Sequence, residues 1–285
     1  NVPENIRVII DTLFVKNAKK SLDKLNLRHR HYIKSEKYKG EIHFSTGSNT
    51  ARSSSNFYAL NNGIATLFEI RGVGIGKTSF KRRINSGLAV GFSFLKTAYE
   101  NSNFIFNQID IANTYTNDIV LQHERSIYTD VIKAIDIESN ELIDFTTTMH
   151  SSKDSYAISK RDRPLAYIIK KNNYGFIEKL NDVGVNYVEL EKDTMIYSGG
   201  YKVVEFNNKF KVYEKMKMQK VVTSIEYSNN KFSKGDILIS MNQKRSNLIA
   251  ELLEPEAPNS YVSFGIIKTS LNNQLPIYRI KNFNN

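Results

Sequence analysis

The sequence predicts a layered α/β fold, a sheet covered by helices, followed by a smaller α+β domain. Three observations carry this. Two long segments repeat apolar residues at three-and-four spacing, and a run apolar on both faces, residues 64–71, lies between them. Beyond about residue 118, shorter alternating runs replace the long stripes. Strand, loop and helix in that order are the grammar of layered α/β domains. Residues 1–117 and 118–285 are therefore expected to form two domains.

In chain order, Ile6, Ile9, Ile10, Leu13, Phe14, Ala18, Leu22 and Leu25 form one helix stripe, predicting a helix over about residues 4–26 with Pro3 tolerated at its first turn. Residues 40–45 alternate like a short strand, and residues 46–55, dense in Ser, Thr, Asn and Gly, read as a loop. Residues 64–70 read as a strand buried inside a helix-covered sheet, because only Thr66 and Glu69 interrupt its apolar character. Ile84, Leu88, Phe92, Leu95 and Tyr99 then mark a helix over about 80–101. In the second half, residues 165–169, 174–180 and 185–190 read as a compact βαβ unit with Gly184 as the helix stop. Residues 236–240 and 246–253 repeat strand then helix, ended by Glu254-Pro255.

Composition narrows the function classes. The 285 residues include 40 Lys plus Arg against 29 Asp plus Glu, a net charge of +11, with 40% hydrophobic residues. Globular composition and one or two real cores follow. No stretch approaches the ~18–20 apolar residues a membrane span needs. The start, Asn1-Val2-Pro3-Glu4, has no initiator Met and no leader, so the chain reads as a portion of something longer. Zero cysteine excludes disulfides, thiolate metal sites and a cysteine nucleophile. The positive charge is concentrated early: residues 1–40 carry ten basic and four acidic side chains, whereas 118–285 carry 23 and 21. A basic helix face is ordinarily a solvated one, so nucleic acid is an unlikely partner.

Candidate chemistry centres on residues 69–83. The glycine run Gly72-Val73-Gly74-Ile75-Gly76-Lys77-Thr78 follows the expected strand, but Arg71 stands where a P-loop needs its first glycine, and neither Lys77 nor Ser79 completes a dinucleotide fingerprint. The five histidines, His29, His31, His43, His123 and His150, form no His-x-x-Glu or His-Glu-x-x-His arrangement, so no metal ligand is assigned. Glu69 lies near the C-terminal end of the expected strand, where α/β sheets place their chemistry. It reads either as a structural carboxylate paired with Arg71 or a neighbouring base, or as a general acid/base tuned by burial and nearby cations. Arg71, Lys77, Arg82 and Arg83 offer positive charge to an anionic substrate, or serve as the solvated start of a helix.

The segment Leu67-Phe68-Glu69-Ile70-Arg71-Gly72-Val73-Gly74-Ile75-Gly76, with Phe80-Lys81-Arg82-Arg83, resembles the C-terminal part of the zinc metallocarboxypeptidase family, the carboxypeptidase A-like group, in a bacterial branch. Asn56-Phe57-Tyr58-Ala59-Leu60 resembles the Asn-x-x-Gly-Leu step before the family's glutamate strand. Asn242-Gln243 and Leu252-Leu253-Glu254-Pro255-Glu256-Ala257-Pro258-Asn259-Ser260 resemble the end of the branch's appended domain. The resemblance implies that residues 1–117 are the C-terminal part of a carboxypeptidase-like catalytic domain, contributing part of a mixed β-sheet flanked by helices, and that 118–285 are a smaller α+β accessory domain. It implies hydrolysis of a peptide or amide bond by a zinc-bound water, with Glu69 as general base and acid and zinc ligands outside this chain. Arg71 matches an arginine two places after the family glutamate, Tyr58 corresponds to a tyrosine that closes over substrate, and Arg82 and Arg83 join them as substrate-binding residues. Ser55 stands where the branch often has Arg, and Ala59 replaces the Gly of the step. Expected partners are a peptide substrate and the N-terminal half of the same protein, or another polypeptide, packing on the sheet. A periplasmic or extracellular location is implied over a cytoplasmic one. The alternative is a non-catalytic interaction module that keeps the fold without the metal site.

Overall fold

The structure is a computed structural model describing residues 1–171 and 174–282. It is α/β, with one mixed and one antiparallel sheet flanked by helices.

The first stripe forms α1 (Glu4–Ile9), a π-helical segment (Ile10–Val15) and α2 (Lys16–Asp23). Its buried residues, Ile6, Ile9, Phe14, Ala18 and Leu22, are the predicted stripe. β1 (Ile33–Tyr38) and β2 (Glu41–Thr46) make a hairpin, and α3 (Ser54–Leu60) follows the Ser-rich loop. α4 (Phe80–Glu100) and α5 (Ser102–Asn113) complete a helical layer, joined to the first stripe through Ile9, Phe14 and Ile105 with Ile64, Phe94 and Ile109 around them.

β3 (Ile119–Ile135) and β4 (Leu142–Arg161) form a long antiparallel ribbon, and β2 adds to β4 in parallel, giving the order β1-β2-β4-β3. The second sheet contains β5 (Ala166–Ile169), β6 (Val188–Glu189), β7 (Thr194–Tyr213), β8 (Met216–Phe232), β9 (Ile237–Ser240) and β10 (Gln274–Ile280), ordered β6-β9-β5-β10-β7-β8. α6 (Tyr174–Asp182) and α7 (Ser246–Leu253) supply Phe176, Ile177, Leu180, Ile249, Ala250 and Leu253 to the main core over this sheet. α7 also meets α3: Leu248 packs with Ala51 and Leu60, and Asn247 Nδ2 donates to Asn62 Oδ1 at 3.2 Å.

Two expectations are corrected. Residues 64–70 form no strand, because neither sheet places a chain beside them to pair their backbone. The expected βαβ unit is split: the strand over 185–190 shrinks to Val188–Glu189, and β9 pairs antiparallel with both β5 and β6, standing between them.

A buried polar cluster ties this second sheet to the end of α7. Glu254 is fully buried and accepts hydrogen bonds from the hydroxyls of Tyr167 (2.6 Å) and Tyr201 (2.9 Å). Arg161 bridges Glu254 and Glu256, and Glu256 also accepts from the backbone N–H and hydroxyl of Thr223. Burial, then the Glu254 charge, pushes both phenols well above the ordinary tyrosine range. Burial opposes the ionised form of Glu256, but Arg161 and Thr223 outweigh it and hold the carboxyl below its usual value. The residues noted in sequence as Leu-Glu-Pro-Glu are thus a structural anchor.

Candidate functional site

The glutamate segment lies along α4 with strand-like alternation. Ile64, Thr66, Phe68 and Ile70 are half-buried, while Leu67, Glu69 and Arg71 are exposed. Phe68 meets Phe94 edge-on at 5.2 Å, and a Cβ at Gly87 would touch Ile70. One face of the run is therefore covered by α4, while the other is open, with Leu67 58% exposed. Thr66 Oγ1 is buried without a hydrogen-bond partner. The expectation of burial on both faces is corrected: a run apolar on both sides has only one side covered.

Period-two geometry puts Glu69 and Arg71 on the same open face. Among the described residues no salt bridge joins them, so the structural ion pair that the sequence allowed is not formed. Glu69 as an acid/base tuned by burial is not what this structure contains either, because its carboxylate stands in solvent.

The glycine loop is pinned to the start of α4. Gly72 adopts φ 112, a left-handed conformation that suits glycine, and a Cβ there would lie 2.5 Å from Arg82 Nη2 and 2.8 Å from Ser79 Cβ. Arg82 Nη2 donates to the Arg71 carbonyl at 2.7 Å, Arg83 Nε donates to Ser79 Oγ at 3.1 Å, and Ser79 Oγ donates to the carbonyls of Gly72 and Gly76. Arg82 and Arg83 thus spend part of their donor capacity fixing the loop that follows Glu69. Tyr58 is 60% exposed on α3, and its carbonyl accepts from the Gly63 N–H at 2.9 Å, where the glutamate segment begins. The structure brings Arg71, Arg82 and Arg83 around one loop and ties Tyr58 to the other end of the segment.

Sequence reasoning did not single out the outward face of α4. Ser93 and Thr97 are buried against the helical layer, with Phe94 half-buried beside them. The stripe used to predict the helix is exposed: Leu88 52%, Phe92 67%, Leu95 69% and Tyr99 85%. Leu67, Val73, Ile75 and Phe80, in the segment that lies along α4 and the loop that leads into it, are exposed as well. Large exposed apolar side chains in such number mark an interaction site.

No group of three or more His, Asp or Glu side chains converges as a metal site among the described residues. The donors brought together among the described residues therefore do not by themselves make a catalytic zinc site. No described helix is long and apolar enough to cross a membrane.

The chain is similar to fungal proteins named carboxypeptidase 2. The protein of that name from Trichophyton equinum is 29% identical over 291 residues, covering 99% of this chain and 53% of that protein. Its counterpart from Trichophyton rubrum is 28% identical with the same coverage, and a probable carboxypeptidase 2 from Arthroderma benhamiae is 27% identical over 264 residues, 89% of this chain. The chain spans about half the length of the curated relatives it matches. These likenesses support a relation to the carboxypeptidases, hence to proteolytic hydrolases. No family model matches the chain, and no solved structure matches it.

Proposed function

We propose that this chain is the glutamate-bearing portion of a zinc-dependent metallocarboxypeptidase that cleaves peptide or amide bonds, with its zinc ligands supplied from outside the chain. The observation that carries the proposal is the likeness to proteins named carboxypeptidase 2 over 99% of the chain, joined to Glu69 standing open on a one-sided apolar segment. The bacterial-branch likeness of residues 252–260 belongs to the same reading, as does an exported location.

The occupant proposed for the apolar surface is the part of the protein corresponding to the half of the relatives that this chain does not span. Pairing along residues 64–70 would satisfy their open backbone edges and enclose Glu69, giving its carboxylate the limited solvation that acid/base work requires. The bound zinc would lower the pKa of its water. In this chain, Glu69 would take a proton from the attacking water and return it to the leaving amine. Arg71 would orient Glu69 or meet the substrate carboxylate, Arg82 and Arg83 would hold the loop and its positive potential, and Tyr58 would close over the peptide.

Glu69→Gln in the complete protein tests this. General acid/base catalysis contributes roughly 10²–10⁴-fold, so kcat on a C-terminal peptide substrate should fall by at least that much while zinc stays bound. Turnover retained at the wild-type rate removes Glu69 from the role. It would favour the rival reading of a non-catalytic module, which Ser55 at the usual arginine position supports.

A further inference from the structure

The histidines that no sequence motif claimed include two that the fold brings together. His43 on β2 and His150 on β4 are 107 positions apart, yet His43 Nδ1 and His150 Nε2 face each other at 2.9 Å. The parallel register pairs His43 with Thr148 and Ser45 with His150, so both imidazoles rise from the same face of the mixed sheet. Their rings are stacked at 5.2 Å, and Tyr38 on β1 lies against both, at 5.2 and 6.1 Å. His43 is nearly buried, at 8% exposure.

Carboxylates attend the pair. Glu41 Oε2 is 3.4 Å from His43 Nε2, the nitrogen turned away from His150. With the ring proton on that nitrogen and directed at Glu41, Nδ1 presents a lone pair toward His150. This carboxylate–histidine arrangement is the one that orients metal-ligating imidazoles. Glu36 is the register partner of His43 on β1, so it stands on the same sheet face.

We propose that His43 and His150 form a two-imidazole site for a borderline divalent transition-metal ion of the zinc class. Zinc–nitrogen bonds of about 2.0–2.1 Å place two tetrahedral ligands about 3.3–3.4 Å apart, so the observed pair needs to open by only about half an ångström. Binding moves the His150 ring proton from Nε2 to Nδ1, freeing the second lone pair, with no net proton exchanged between neutral rings. Water completes the shell, and Glu41 stays on His43 Nε2 as the orienting carboxylate.

The test is isothermal titration of the chain with Zn²⁺ alone at pH 7.5. One ion per chain in the micromolar range is expected, weakened roughly tenfold or more in His43→Gln and in His150→Gln. Because those variants also cut the contact joining β2 to β4, Thr148→His supplies the complementary measurement. A third imidazole beside the pair should tighten binding about tenfold or more. Absence of saturable binding up to millimolar zinc, an unchanged isotherm in His150→Gln, or no tightening in Thr148→His overturns the site and leaves the pair sharing only a proton. The readout is binding rather than hydrolysis, so its failure leaves the role of Glu69 untouched, and failure of the Glu69 test leaves this site untouched.

Discussion

Replacing Phe92 and Leu95 together by Gln asks whether the outward face of α4 is a surface of this chain or a concealed interior. Complete burial of a Phe or Leu side chain is worth roughly 1.5–3 kcal/mol. In the chain alone Phe92 is 67% and Leu95 69% exposed, so only about a third of that value is engaged. Gln is a good helix former, and the pair should therefore cost about 1–2 kcal/mol at most. In the complete protein proposed above, covering this face adds the remaining two thirds, about 1–2 kcal/mol per residue, and strands each new amide at a further cost of about 1–3 kcal/mol. The double substitution should then destabilise by about 4 kcal/mol or more. Urea unfolding followed by far-ultraviolet circular dichroism measures both values, and binding of a hydrophobic dye to the chain alone should fall in the variant. A loss above about 3 kcal/mol in the isolated chain would refute the reasoning, because it would place the stripe inside this chain's own core.

Other outcomes follow from the buried carboxylates. Glu254→Gln leaves Arg161 and Arg279 facing a neutral amide in a fully buried site, and breaking a buried pair on one side costs about 3–5 kcal/mol, readable as a lowered urea midpoint. A loss below about 1 kcal/mol would show that water reaches the cluster. Glu251 behaves oppositely: burial raises its pKa despite the hydrogen bond from Asn259 Nδ2 at 2.7 Å. A raised folded-state value means that the ionised form costs stability, and that cost grows as pH rises from about 4.5 through the folded pKa. Glu251→Gln keeps an acceptor for Asn259, so it should raise Tm at pH 8 and leave it nearly unchanged at pH 4. A gain no larger at pH 8 than at pH 4 counts against the assignment.

The elements legible in the sequence are those whose own side chains determine their cover. The first helix, the strand at 166–169 and the helix at 246–253 bury most of the residues their periodicity marks, Leu25 and Leu165 at their ends excepted, because core partners for those faces lie within this chain. The ribbons β3–β4 and β7–β8 were illegible for a local reason. They are long, and polar runs interrupt their alternation, residues 122–126 in β3, 150–155 in β4, 207–209 in β7 and 228–231 in β8. The turn between β7 and β8 is made by Glu214 and Lys215 at φ 45 and 69, where the usual hairpin signal is Asn-Gly.

The cover over residues 64–70 and over the α4 stripe was not legible, for a different reason. Residues 64–70 and the α4 stripe carry the pattern of buried elements, and that pattern encodes how apolar a face is without encoding what lies against it. Here the helix turns Ser93, Thr97 and Phe94, which packs against Phe14 and Phe68, toward its neighbours and leaves Phe92 and Leu95 outside. Large exposed apolar side chains in such number mark an interaction site, and Thr66 Oγ1 in the adjoining segment is buried with no hydrogen-bond partner. The two features meet around Glu69, so the residue carrying the proposed chemistry is also the one whose surroundings this chain leaves least complete. His43 and His150 present the converse case: 107 residues apart, they share no local pattern, and only the parallel pairing of β2 with β4 makes them neighbours.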